Sequence, residues 1–347
     1  MKRKIAAYNG KGEMFVLEEE MPPLKENEVL IRVAASLISP GTEMAGVLKL
    51  RKTPDEKKDF TRFGYANAGE IIELKGECRG LKKGMRVAAM GGGALHANYA
   101  AVPRNLVVPL ADNVSFEEGA YACLGATALQ AIRRTEPLLG EYGIILGLGI
   151  VGNLSAQLAQ LSGARVMAWE GMNSRIEIAR RCGLQQAVNF TKQDAVEAAK
   201  VFMSPYGADF AVFAFGGNGN AAMKNVSQCM KVSADGHKMG RVVLVGGCEI
   251  TIQGGAGTGN MDIRSAARTG PGYHDSAYEY GNDYPSAFVP FTTQRNLSEI
   301  ITLISEKRLT VAQMTTHRLP LESAPEAADL LINTPDRALG IIFQMVH

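Results

Sequence analysis

Residues Gly147-Leu148-Gly149-Ile150-Val151-Gly152 form a GxGxxG, with the apolar run GIIL before it and VGNLSAQLAQLSG, apolar at helical spacing, after it. Glycines between a strand and a helix serve three purposes. The first permits the tight turn, the second lets the backbone approach a pyrophosphate, and the third packs helix on strand. The helix start adds free N–H groups and the positive end of its dipole, so Gly147, Gly149, Ile150, Val151 and Gly152 are candidate phosphate contacts. The next apolar run, ARVMAWE, ends at Glu170. A carboxylate there accepts hydrogen bonds from both adenosine ribose hydroxyls and repels a 2′-phosphate. NAD is therefore expected over NADP. Arg175 is the nearby cation that would favour the phosphorylated form if it turned inward instead of lying on a solvated helix face. Gly216 and Gly246 each close a later apolar run and are candidates for the nicotinamide side. GGAGTGN, from Gly254, lacks a strand-to-helix setting and reads as a loop.

The elements that must position these residues change character along the chain. The first 120 or so residues read as β-rich, with EVLIRVAASLI, GEIIEL, RVAAM and NLVVPL separated by Pro and Gly turns and no long amphipathic helix between them. SFEEGAYACLGATALQAIRR then has helical spacing, with Ser115 as N-cap and Glu118 completing a capping box. From Gly143 strands and helices alternate: GIILGLG, VGNLSAQLAQLSG, ARVMAWE, SRIEIARRCG, DFAVFAFG and RVVLVGG. Continuous apolar strands in such alternation predict an α/β fold with a doubly wound parallel sheet. Residues 254–292 are dense in Gly, Tyr and Asp and read as irregular. A helix (NLSEIITLISEK), a strand (THRLPL), a helix (APEAADLLI) and a final strand (ALGIIFQMV) follow.

The 347 residues favour two domains. Lys+Arg 37 against Asp+Glu 35 is too balanced for a nucleic-acid or membrane-surface footprint. Five cysteines without a CxxC pair read as reduced thiols, and the start carries no signal-length apolar stretch, so a cytoplasmic setting is expected. The 38 glycines, about one residue in nine, exceed the usual share of about 7% and imply close backbone approaches.

PPLKENEVLIRV, GLKKGMRVAAMG, HANYAAVPRNLVVPL, FEEGAYACLGATALQA and LGLGIVGNLSAQLAQLSGARV together resemble the medium-chain dehydrogenase/reductase family of zinc alcohol dehydrogenase type, over essentially the whole chain. The resemblance implies a GroES-like β-rich catalytic domain (1–125 and 293–347), a Rossmann NAD-binding domain (126–292), a cleft between them, and a homodimer or homotetramer. The sequence departs from the zinc enzymes at the ligand positions. Pro40 of Pro40-Gly41-Thr42-Glu43 stands where the family has its first Cys, and Tyr65 stands where it has His. Cys123 alone keeps a thiol, and the Cys-rich lobe for structural zinc is missing. Catalytic zinc needs about three protein ligands. No metal is therefore expected, although Glu43, His96 and Cys123 would be the residues to suspect if one bound. SPGTE, HANYAAVP, TGPGYHDSAYEYGNDYP, RNLSEII and THRLPLESAPEA further resemble bacterial glycoside 3-dehydrogenases and the dehydrogenase half of two-part oxidoreductases. The other half of the latter is inositol-dehydrogenase-like, which implies a sugar-like substrate and a possible separate partner enzyme of that kind.

Without zinc, oxidising a secondary alcohol needs a positioned base and a hydrogen-bond donor. Thr42 matches the hydroxyl of the family's proton relay, or caps the following helix. Tyr65 can donate a phenolic hydrogen bond into the metal's place, or simply fill it. His96 is the candidate base, histidine being the side chain that titrates near neutrality, or else a hydrogen-bonded structural residue. Glu43 would orient that histidine or bind a sugar hydroxyl. Tyr273, His274 and Asp275, with Tyr278 and Tyr280, read as a sugar-binding wall or as a subunit contact. The leading expectation is an NAD-dependent, zinc-independent dehydrogenase acting on a secondary hydroxyl of a sugar, glycoside or cyclitol, in either direction. The alternatives are a quinone or enone reductase, against which Glu170 counts, and a non-catalytic cofactor-binding partner of another sugar oxidoreductase.

Overall fold

Between Thr127 and Arg268 the continuous apolar runs become a six-stranded, all-parallel sheet. In chain order its strands are Tyr142–Leu146, Arg165–Glu170, Gln186–Asn189, Phe210–Phe213, Met239–Val245 and Asn260–Ala266. They lie side by side as third, second, first, fourth, fifth, sixth. This is the doubly wound order, and its direction reverses between the first and fourth strands, where ligands meet the carboxyl ends of such sheets. The first and fourth strands are buried throughout, so they lack polar alternation. The expectation of a doubly wound sheet holds. Three pieces were not anticipated: the strand Gln186–Asn189 and the helices Ala195–Phe202 and Asn220–Ser227. The strand Asn260–Ala266 also corrects the reading of 254–292 as irregular throughout. It forms the sheet edge and is largely exposed, so its apolar signature is weak.

The computed structural model describes residues 1–345, and the second unit comprises residues 1–126 with 269–345. Its central strand, Glu28–Leu37, pairs antiparallel with Ala66–Lys75, Tyr99–Pro103 and Gly340–Gln344. The last of these brings the end of the chain back into a sheet begun near its start. A separate sheet joins Met14–Glu20, Lys2–Asn9 and Phe60–Arg62. One helix, Thr42–Lys52, does interrupt the β-rich stretch, burying Met44, Val47 and Leu50 while Lys49, Arg51 and Lys52 end it. The capping box of Ser115 and Glu118 forms as expected, but that helix stops at Gly119 and a second one runs over Ala122–Thr135. Among the described residues no helix is long and apolar enough to cross a membrane.

Residues 269–292 belong to this β-rich unit and not to the parallel-sheet unit, which corrects a boundary drawn at 292 to Arg268. Hydrogen bonds explain why. Buried Asn105 donates Nδ2 to the Tyr278 carbonyl at 2.7 Å and to Asp283 Oδ1 at 3.0 Å. Arg104 donates to the carbonyls of Glu77 at 2.6 Å and Gly281 at 2.5 Å. Asn27 holds the Tyr280 carbonyl at 2.8 Å. Tyr278, 2% exposed, stacks on Tyr284 at 4.8 Å. Asn105→Ala is therefore expected to destabilise the protein by about 1–3 kcal/mol, because it removes two hydrogen bonds made by a buried side chain. Hydrogen exchange should show protection lost first over residues 276–284; unchanged exchange there would contradict this account of the anchor.

Candidate functional site

Gly147 turns the chain at φ +86, and its N–H donates to the Trp169 carbonyl at 2.8 Å. A Cβ on Gly152 would stand 1.9 Å from the Gly147 carbonyl oxygen, so the third glycine is required for helix-on-strand contact. A Cβ on Gly149 would meet nothing within 4 Å, which leaves the backbone there open to a ligand. Gly149 begins the helix Ile150–Leu161 with no side-chain cap. The first amides of that helix, including Ile150, Val151 and Gly152, have no intrahelical acceptor.

Glu170, 6% exposed, ends the adjacent strand. Its Oε2 accepts the Leu148 N–H at 2.7 Å, and its Oε1 accepts those of Gly171 at 2.7 Å and Met172 at 3.0 Å. The carboxylate is thus fixed on the glycine turn itself. Arg175 Nη1 stands 3.9 Å from it. Ser174 Oγ and Arg175 Nε are buried there without a hydrogen-bond partner. Orphaned donors beside a fixed carboxylate are chemistry that ribose hydroxyls would satisfy. Gly216 is exposed just past the strand Phe210–Phe213, and Gly246, at φ +83, lies just past Met239–Val245 with open space about it. The residues present fit a dinucleotide.

The β-rich unit gathers the groups proposed for proton chemistry. Gly41, not Thr42, is the cap of the helix Thr42–Lys52, so the Thr42 hydroxyl is not spent on capping. It and the Ser39 hydroxyl lie close enough to the Tyr65 phenol to moderate its electrostatics. Tyr65 is half-buried and Thr42 is exposed. Burial pushes the Tyr65 phenol well above its ordinary range, and Cys123 and Glu43 add to the shift. Gly64 sits at φ +121, and a Cβ on it would stand 2.1 Å from the His96 nitrogen, so only glycine leads the chain into Tyr65 here. The Tyr65 carbonyl accepts the Gly91 N–H at 3.0 Å. The Tyr273 ring comes within 3.3 Å of where a Cβ on Gly91 would lie. One residue of the 269–292 stretch is thereby brought close to the Tyr65 cluster.

His96 is not placed to act on a substrate. It is 0% exposed, with its ring 5.0 Å from that of Phe63 and 5.4 Å from that of Phe343, and its Nε2 stands 3.2 Å from Glu43 Oε1. Glu43, 9% exposed, accepts the Ser39 N–H on Oε2 at 2.6 Å. Of the two roles considered for Glu43, the geometry is that of a partner to His96 and not of a sugar ligand. Asp275 is likewise committed: it caps the short helix Ser276–Glu279 and accepts the Tyr284 hydroxyl at 2.5 Å. That hydroxyl is the main reason its carboxyl lies below the usual carboxylate range. His274 is exposed at φ +72 with its ring 3.9 Å from that of Tyr273, so these two are the accessible remainder of the expected wall. Ser39 was not singled out from the sequence, although a hydroxyl three residues before Thr42 was there to see.

A catalytic zinc does not fit this donor set. Pro40 carries no ligand atom and Tyr65 occupies the second position, while burial and Glu43 raise the Cys123 thiol far above its ordinary range. Among the described residues no group of three or more His, Cys, Asp or Glu side chains is arranged to hold a metal ion.

Comparison with known proteins agrees with this architecture. The family profile described as zinc-binding dehydrogenase matches residues 151–280. An uncharacterized zinc-type alcohol dehydrogenase-like protein of Escherichia coli, YdjJ, is 24% identical over 378 aligned positions, covering 99% of each chain. The 2-methylene-furan-3-one reductase of Solanum lycopersicum is 30% identical over 208 positions; the match covers 55% of this chain and about half, 53%, of that protein. The solved galactitol-1-phosphate dehydrogenase of E. coli superimposes with a TM-score of 0.78 at 18% identity, covering 98% and 99% of the two chains. The chain is thus similar over its whole length to a zinc-type alcohol dehydrogenase-like protein, and the zinc-binding dehydrogenase profile itself matches residues 151–280.

Two glycine variants test the cofactor turn. Gly149→Ala should fold with an unchanged Tm yet bind NADH at least about tenfold more weakly, since its Cβ projects only into the space a phosphate would take. Gly152→Ala should lower Tm as well, because its Cβ collides with backbone. Equal NADH affinity in Gly149→Ala and the unaltered protein, by fluorescence titration, would contradict the assignment.

Proposed function

We propose that the protein is an NAD-dependent, zinc-independent oxidoreductase that interconverts a secondary alcohol and a ketone on a sugar, glycoside or cyclitol. The observation that carries this reading is the hydroxyl cluster of Tyr65, Ser39 and Thr42 in the place where the family's metal ligands are missing. When bound, the nicotinamide cofactor supplies the hydride exchange. The work of the chain's own residues follows from their chemistry. Gly147, Gly149 and the first amides of the helix hold the phosphates, and Glu170 accepts the ribose hydroxyls. Tyr65 keeps its proton and donates a hydrogen bond to the substrate oxygen. In ketone reduction that proton passes to the nascent alkoxide as another moves onto the phenol from Thr42, which reaches solvent, so no phenolate is left behind. In alcohol oxidation the same path runs in reverse. Tyr273 offers an aromatic face to the apolar side of a sugar ring, and the exposed His274 a polar edge. The name of the galactitol-1-phosphate dehydrogenase neighbour is consistent with a polyol or sugar substrate.

A second reading, reduction of an activated double bond, is favoured by the named activity of the tomato relative. A phenolic donor would protonate an enolate as readily as an alkoxide. The two readings separate experimentally. A panel of glycosides, polyols, keto-sugars and enones, assayed with NAD(H) and NADP(H), should show turnover on a sugar class with at least about tenfold preference for NAD(H). Glu170→Ser should reduce that preference to near parity. Turnover confined to enones, or an NADP(H) preference in the unaltered protein, would overturn the proposal.

A further inference from the structure

We infer that the buried Glu43–His96 pair is a positioning device that fixes Ser39 and, through it, the Tyr65 hydroxyl. The inference rests on the proton-handling role proposed for Tyr65. Glu43 grips Ser39 from both sides: its N–H donates to the Ser39 carbonyl at 3.1 Å, and its Oε2 accepts the Ser39 N–H at 2.6 Å. The Ser39 hydroxyl, so held, neighbours the Tyr65 phenol, whose electrostatics it moderates. The other carboxylate oxygen, Oε1, has no hydrogen-bond partner within normal geometry and faces His96 Nε2 at 3.2 Å. A desolvated carboxylate oxygen needs such a partner, and without it the side chain would have to leave its place or take up a proton.

The imidazole is suited to that task and to little else. Its backbone is tied on both sides, since the His96 N–H donates to the Phe63 carbonyl at 2.9 Å and its carbonyl accepts the Ala6 N–H at 2.9 Å. Phe63 and Phe343 flank the ring, and both ring nitrogens are buried without a hydrogen bond of normal geometry, Nε2 being the one that faces Glu43 at 3.2 Å. A proton on Nε2, facing Glu43, is the tautomer this environment selects. The imidazole is fully enclosed and Glu43 is buried, so the pair acts on the reaction only through Ser39 and Tyr65. Cys123 lies near enough to Tyr65 and Glu43 for its thiol to feel both, so any loosening of Glu43 alters the surroundings of the phenol.

The test uses the full chain with His96→Phe, which fits the aromatic surroundings but offers Glu43 no donor, His96→Gln, whose amide can donate in place of Nε2, and Glu43→Gln as an independent break of the pair. On the substrate found by the panel, His96→Phe should lose at least about tenfold in kcat with KM and NADH affinity within about twofold, and His96→Gln should recover most of the loss. In the ligand-free protein, the ring-carbon NMR resonance of Tyr65, assigned with Tyr65→Phe, should move in His96→Phe and in Glu43→Gln and return toward its original position in His96→Gln. A Tyr65 resonance unmoved by both His96→Phe and Glu43→Gln would overturn the inference by making the pair purely structural. A His96→Gln protein as inactive as His96→Phe, with its Tyr65 resonance restored, would overturn it by requiring the imidazole itself. If the unaltered protein turns over nothing, the functional reading fails by itself, and the ligand-free resonances still decide the positioning role.

Discussion

A phenol packed beside a carboxylate and a thiol keeps its proton, and that constraint decides what the β-rich unit can do. Burial, with Cys123 and Glu43 as neighbours, disfavours the ionisation of Tyr65, and the hydroxyl groups of Ser39 and Thr42 lie beside it. In the function proposed, it serves as a donor. Such a donor would perform the Lewis acid's task of stabilising oxygen charge, with a proton in place of a cation. The surrounding structure meets the demands this makes. Gly64 supplies the backbone conformation that leads into Tyr65, Gly91 holds its carbonyl, and Glu43 clamps Ser39. The departures from the ligand positions of the zinc enzymes it resembles are thus linked: where those carry Cys and His, Pro40 and Tyr65 stand here, with the Ser39 and Thr42 hydroxyls beside the phenol.

In the parallel-sheet unit a second carboxylate plays the organising part. Glu170 ends one strand and accepts an amide from the turn that follows its neighbour, so the carboxylate and the turn proposed to recognise ribose and phosphates are fixed against each other. The strand order places both beside the reversal point of the sheet, where carboxyl ends of adjacent strands diverge. The excess of glycine finds part of its reason here. Gly147 turns, Gly152 yields space to a carbonyl, and Gly149 leaves open the approach that a side chain would obstruct.

The features legible in the sequence were those governed by local rules. The strand, turn and helix around Gly147, the carboxylate at the end of the next strand and the capping box of Ser115 all follow from periodicity and residue chemistry over a dozen positions. Contacts between distant segments were not legible in that way. That Asn105 and Arg104 would draw residues 269–292 into the β-rich unit depends on hydrogen bonds spanning more than 170 positions. His96 looked like a base because histidine chemistry is local, whereas its enclosure by Phe63 and Phe343 is a property of the fold. Asp275 looked like a sugar ligand for the same reason, and its carboxylate is occupied by its own helix and by Tyr284. The edge strand Asn260–Ala266 escaped notice because an exposed edge needs few apolar residues.

The central claim is that a phenol does the work of a metal. Steady-state kinetics of Tyr65→Phe, on protein whose metal content is measured in the same preparation, tests it most directly. The account predicts that kcat falls by about 10²- to 10⁴-fold, the usual contribution of a positioned acid–base group, with NADH affinity preserved and the unaltered protein active without zinc. Full activity in Tyr65→Phe, or activity of the unaltered protein that tracks stoichiometric zinc, would contradict it.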